Sequence, residues 1–153
     1  MAALTLRGSW RAGLLAAVLA GPVQAQFNMV PAPLCRAPAP SRATDEAGYR
    51  LEAARHVYAC FPMRVYHGPL PPLLFGIMTV DLEVDDKGAL THLAVVRKPA
   101  ADIVEPWLVA LLRRAAPFPV AARLEGGRAR WTETFFVDKS GLFQTFSLTE
   151  GQR

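Results

Sequence analysis

Between Phe75 and Asp85 apolar and polar residues alternate: Met78, Val80, Leu82 and Val84 against Thr79, Asp81, Glu83 and Asp85. A period of two sets one dry and one wet face on a β-strand. Asp86-Lys87-Gly88 follows as a turn, in which Gly88 is free to take positive φ. Leu90 to Lys98 is then a second run rich in Val and Leu. Together the two runs predict an antiparallel hairpin, and any fold for this chain must bury one of its faces.

The material to cover that face lies on both sides of the hairpin. Upstream, Thr44 with Asp45 and Glu46 offers an N-cap and an acidic first turn, where the helix dipole favours negative charge. Leu51, Ala54, Val57 and Tyr58 recur at helical spacing, and Pro62 follows the run. The Pro-rich stretch His67-Gly68-Pro69-Leu70-Pro71-Pro72 reads as loop. Downstream, Pro99 ends the hairpin and Asp102 is placed to cap a second helix. Trp107, Leu108, Leu111, Leu112 and Ala115 form its apolar stripe, while Glu105, Arg113 and Arg114 lie away from it.

Pro117-Phe118-Pro119 stops that helix: Pro117 terminates it, Phe118 can fold back into the core, and Pro119 keeps the exit extended. A loop with Gly126-Gly127 leads to a third strand over about Arg128 to Val137. Asp138-Lys139-Ser140-Gly141 can return the chain into a short last strand, Leu142 to Leu148. The fold class expected is α+β: a small antiparallel sheet with two helices packed on one face. The order is α-β-β-α-β, with room for an extra C-terminal strand. No internal repeat is visible.

The first 25 residues carry the parts of a cleavable secretory signal. Arg7 and Arg11 are the only charges before Arg36, and Ala12 to Ala20 is an apolar run broken by Gly21-Pro22. Val23 and Ala25 are small residues placed for a cut before Gln26. The apolar run is shorter than the roughly 20 residues that span a bilayer. Residues 26–43 form an extended arm containing Pro31, Pro33, Pro38 and Pro40. Residues 44–153 form the domain, of a size that supports one core.

An exported chain meets an oxidising compartment, where a pair of cysteines forms a disulfide. Cys35 and Cys60 are the two present. Their bridge would staple the arm to the domain and contribute about 3 kcal/mol in the chain-entropy model. A redox-active thiol would ask for a Cys-x-x-Cys spacing that the chain lacks.

The formal net charge of +4 includes Arg7 and Arg11, so part of it leaves with the signal. The other basic residues are interleaved with acidic ones, with no stripe of Lys and Arg beside aromatics. That pattern gives nucleic-acid binding no support.

Gly76, Val80, Val84, Asp85 and Gly88, followed by a helix and Arg113-Arg114-Ala115-Ala116-Pro117-Phe118-Pro119, resemble the C-terminal domain shared by TonB and TolA proteins. The similarity covers roughly Val57 to Val137. It implies a protein-binding domain without catalysis or cofactor, in which a segment of an outer-membrane receptor adds as a strand to an exposed sheet edge. Placed on this chain, that edge is Trp131, Thr132, Glu133, Thr134, Phe135, Phe136 and Val137. Two features depart from an energy transducer. The chain reads as cleaved and not anchored, and its arm is about 50 Å long at about 3.1 Å per residue, short of a periplasm's width. Leu142 to Leu148 could also pair with Trp131 to Val137 and cover the edge.

Three histidines and one acidic group are the remaining candidates for chemistry. His56, His67 and His92 fall on a helix, a loop and a strand. His56 and Cys60 are four apart, on one helical face, a spacing open to a thiolate–imidazole pair or two metal ligands. The reading adopted is an exposed histidine beside a disulfide-bonded cysteine. Asp81, Glu83, Asp85 and Asp86 lack the ligand spacing of a calcium loop. No phosphate-binding glycine loop, nucleophile elbow or His-Glu-x-x-His occurs. The sequence therefore predicts a periplasmic binding module for an envelope protein. The alternative is an envelope assembly factor, its edge capped by its own C-terminal strand and its partner surfaces, a homodimer's included, elsewhere.

Overall fold

A computed structural model describes residues 23–152; the charged and apolar parts of the proposed signal lie outside them. Among the described residues no helix is long and apolar enough to cross a membrane. Two α-helices and a four-stranded antiparallel sheet follow one another as α1 (Glu46–Cys60), β1 (Gly76–Val84), β2 (Leu90–Arg97), α2 (Val104–Ala115), β3 (Ala129–Val137) and β4 (Phe143–Thr145). Across the sheet the order is β2-β1-β3-β4.

The alternation in β1 has its expected consequence. Met78, Val80, Leu82 and Val84 are buried, and the residues between them are half-buried on the other face. Opposite them on β3 stand Phe135, Glu133, Trp131 and Ala129, in unbroken register. The turn after β1 is held by Asp85, whose carboxylate accepts the Lys87 and Ala89 N–H groups at 2.9 Å each. Those two bonds hold its carboxyl below the usual aspartate range. Gly88 has φ 77°, and its carbonyl accepts the Phe118 N–H at 2.8 Å.

Both helices cover the face bearing Met78 to Val84. On α2 the expected stripe Trp107, Leu108, Leu111, Leu112 and Ala115 is buried, joined by Val104. Full burial of a Leu side chain is worth about 1.5–3 kcal/mol, so the stripe is the main anchor of this helix. Asp102 does not cap it. The helix is preceded by a turn, in which Val104 N–H donates to Ala101 C=O, and no side chain caps the first turn.

On α1 the cap is Asp45 and not Thr44: its carboxylate accepts the Gly48 N–H at 2.7 Å, one residue later than expected. Leu51 is only half-buried, while Tyr49, Ala53 and Cys60 join Ala54 and Val57 in the core. The stripe is rotated because Tyr49 and His56 reach over α2's exit. The Tyr49 hydroxyl and the His56 Nε2 each bond a carbonyl there, Pro119 and Ala115 respectively.

Past the 3-10 helix Val23–Gln26 the arm has neither helix nor strand up to Ala43, and it is strapped to the domain at several points. Phe27 is buried between Phe75, with ring centroids 5.4 Å apart, and the edge of Trp107, at 5.2 Å. Arg114 donates to the carbonyls of Val30 and Pro31. Leu34 N–H reaches Cys60 C=O, and Ser41 N–H reaches Val120 C=O, both at 2.8 Å. Cys35 and Cys60 are joined in a disulfide.

Candidate partner-binding edge

An antiparallel strand points its backbone groups alternately to its two neighbours. Val137 C=O accepts from Phe75 N–H on the β1 side, so Val137, Phe135, Glu133 and Trp131 aim their backbone groups toward β1. Phe136, Thr134, Thr132 and Arg130 aim theirs the other way. On that outer side β4 pairs with Phe135, Phe136 and Val137 only. The predicted edge is thus divided. Three of its seven residues, Phe135 to Val137, are covered, and Trp131 to Thr134, with Ala129 and Arg130 before them, have no strand beside them among the described residues.

The covered part is firmly held. Phe143 is fully buried against Phe135 and Tyr58, and its carbonyl accepts the Tyr66 N–H at 2.9 Å. Gln144, also buried, donates from Nε2 to the carbonyls of Tyr66 and Gly68. Thr145 N–H donates to the Tyr58 hydroxyl at 2.9 Å. β4 therefore has a neighbour on each side and presents no edge of its own.

The C-terminal strand ends sooner than Leu148. It stops at Thr145, and Phe146–Leu148 turn into one loop of 3-10 helix. Glu133 lies at the stop. It occupies a core-facing position opposite Val80, only 3% exposed. Its carboxylate bends to the outer edge, where it accepts the N–H of Thr134 at 2.9 Å, the N–H of Ser147 at 3.3 Å and the Ser147 hydroxyl. Burial pushes the Glu133 carboxyl above the usual glutamate range, against the pull of those donors and of the Arg50 charge. The run Trp131, Glu133, Phe135, Val137 carried the signal for this: one charged residue in an apolar register.

The seven predicted edge residues thus divide by face as well as by partner. Trp131, Glu133, Phe135 and Val137 are buried on the helix side, whereas Thr132, Thr134 and Phe136 lie on the opposite face. The Thr132 hydroxyl donates to Asp81 and the Thr134 hydroxyl contacts that of Thr79. Beside the uncovered half-edge, the first turns of α1 form the wall of an open groove of about 330 Å³. Glu46, Ala47 and Arg50 face Arg130, Trp131 and Thr132 across it. Sequence reasoning did not assign this wall, because its residues meet β3 only once α1 is docked.

The outer edge of β2 is a poorer template. Val96 and Thr91 are skipped in its register with β1, so two bulges interrupt its row of backbone groups. Bulges and the flanking Arg97, Lys98 and Pro99 are the devices that protect an edge from strand pairing.

The other candidate sites of the sequence take structural roles. Cys35, His56 and Cys60 place their donor atoms within 4.8 Å of one another. Both sulfurs are bonded to each other, and His56 is buried, not exposed. A carbonyl only accepts, so His56 Nε2 at 2.7 Å from Ala115 C=O carries the proton and is not free to ligate. His67 and His92 are exposed and apart from that cluster. Asp81 and Glu83 lie on the polar face of the sheet, and Asp85 is occupied by its own turn. No protein-family model, curated protein or solved structure matches the chain.

Proposed function

We propose that this chain is an exported, non-catalytic protein-binding module of the periplasm, of the TonB/TolA C-terminal type. It takes an extended segment of an envelope protein as an added strand along the open half of β3. One observation carries the reading: Arg130 and Thr132 direct backbone N–H and C=O groups to a side of β3 that no strand among the described residues occupies. Each main-chain hydrogen bond to an incoming segment contributes about 0.5–1.5 kcal/mol. The α1 wall, with Glu46 and Arg50, supplies side-chain selectivity.

The small α+β fold, an antiparallel sheet with two helices, is the support the architecture lends this reading. A second reading has its own observation. β4 already covers Phe135 to Val137, which favours an assembly factor whose edge is closed by its own chain and whose partners dock elsewhere.

Thr132→Pro separates the two. It deletes one outward donor, and Pro is tolerated where the N–H faces away from the sheet. A photo-crosslinking residue at Arg130, in protein expressed in a Gram-negative periplasm, should give an adduct that Thr132→Pro removes while the domain stays folded. Adducts that persist in Thr132→Pro, or that form equally from Lys139, would sink strand addition at this edge.

A further inference from the structure

The β3–β4 ladder ends at a definite place. Phe136 and Gln144 are its last outward-facing pair, and the next would join Thr134 to Phe146. Instead Thr134 N–H donates to Glu133 Oε1. The same carboxylate takes the N–H and hydroxyl of Ser147 and turns the chain away as the 3-10 helix Phe146–Leu148. Arg50 of α1 lies over the Phe146 ring at 5.6 Å on the far side of that turn. Glu133 thus stands where the Phe146 carbonyl would stand in a longer ladder. A carboxylate at an apolar, nearly fully buried position is costly unless its oxygens are bonded. Here one bond takes up the Thr134 N–H that a longer ladder would use, and the other two hold Ser147 of the C-terminal segment.

We propose that Glu133 is the stop that ends the β3–β4 ladder and keeps the edge at Arg130–Thr132 open, and that an apolar residue in its place lets the C-terminal segment run on along β3 and close it. The consequence for a partner rests on the strand-addition reading; the stop itself does not. With the carboxylate gone, a continued β3–β4 register pairs Thr134 N–H with the Phe146 carbonyl and brings Leu148 opposite Thr132. Glutamine differs. Its amide oxygen still accepts from Thr134 N–H and its NH2 group can donate to the Ser147 oxygen, so Glu133→Gln preserves the stop.

The test is residue-resolved amide hydrogen exchange on the full chain. In the native protein Thr134, bonded to Glu133, should be slow and Thr132 fast. Glu133→Leu should slow Thr132 by about tenfold or more as it enters the ladder, and Glu133→Gln should leave it fast. Thr132 remaining fast in Glu133→Leu while Thr134 accelerates would overturn the proposal, leaving Glu133 a local cap. If that variant does not fold, Ser147→Val removes the hydroxyl donor and favours strand, and carries the same expectation at smaller size. Unchanged Thr132 exchange there overturns the proposal equally. Crosslinking from position 130 reports on the partner separately. If Thr132 slows in Glu133→Leu and the adduct persists, the stop stands and strand addition fails.

Discussion

The Tyr49 hydroxyl donates to the Pro119 carbonyl at 2.7 Å, joining the second turn of α1 to the segment that leaves α2. Both partners are buried, and the ring packs edge-on against Trp131, centroids 5.2 Å apart. Tyr49→Phe keeps the ring and strands a buried carbonyl, at a cost of about 1–3 kcal/mol. A chemical-denaturation midpoint unchanged by this substitution would show the bond to be idle.

The same hydroxyl makes the fold sensitive to alkali. Burial, and secondarily the Glu52 charge, raise the Tyr49 phenol well above the ordinary tyrosine range. The folded state therefore holds this proton harder than the unfolded chain does. Its contribution is complete below the unfolded value near 10 and is lost as pH climbs from there toward the folded value. Stability should fall above pH 10, and tyrosinate absorbance from Tyr49 should appear only with unfolding. Tyr49→Phe should flatten that fall.

Gly88→Ala should be among the most damaging single-atom changes in the chain. The backbone sits at φ 77°, and an added Cβ would lie 2.0 Å from the Phe118 carbonyl oxygen. Left-handed backbone alone costs a non-glycine residue about 1–3 kcal/mol, and the clash also breaks the Phe118–Gly88 bond. The expected result is a loss above about 3 kcal/mol in urea unfolding. Gly126→Ala, also at positive φ but with open space around it, should lose only the backbone part.

The two cysteines should not be equivalent. Either Cys→Ala substitution opens a loop closed across 25 positions, worth about 3 kcal/mol. Cys60 is also fully buried, whereas Cys35 is half-buried, so Cys60→Ala adds a cavity. Thermal unfolding should rank Cys60→Ala below Cys35→Ala. Cys60→Ala in a Cys35→Ala background should still lose about 1 kcal/mol, the cost of a small void; no further loss would mean the site collapses to fill it.

Deleting Leu142 to Arg153 should both destabilise and make the protein sticky. The deletion empties the Phe143 site, a loss of about 3–5 kcal/mol by analogy with truncating a buried Phe. It also uncovers the backbone of Phe136, lengthening an exposed edge. Sedimentation and thermal melting read the two effects, and a truncated chain that stays monomeric with an unchanged midpoint would contradict both.

Much of this architecture was legible in the residues. The alternation of Met78 to Val84, the stripe Trp107 to Ala115 and the breaks at Pro99 and Pro117 are local signals. Each states which face of an element is apolar before any tertiary contact forms. Phe118 returning to the core, 1% exposed beside His56 and Trp131, followed from the prolines that flank it. The face of α1 was less legible. Tyr49 and His56 are drawn inward by carbonyls seventy and fifty-nine positions away, and helical spacing holds no record of those partners.

What the sequence determined by itself is the set of elements, their apolar faces and the pairing of two cysteines in one chain, because periodicity, turn residues and composition act within a few positions. The tertiary structure alone decided how much of β3 is covered. Leu142 to Leu148 has the apolar character to pair with the whole run, yet pairing ends at Thr145. The reason is a competition at one point of the edge: the Glu133 carboxylate and the Phe146 carbonyl can both accept the Thr134 N–H, and in the folded protein the carboxylate, already anchored to Ser147, takes it.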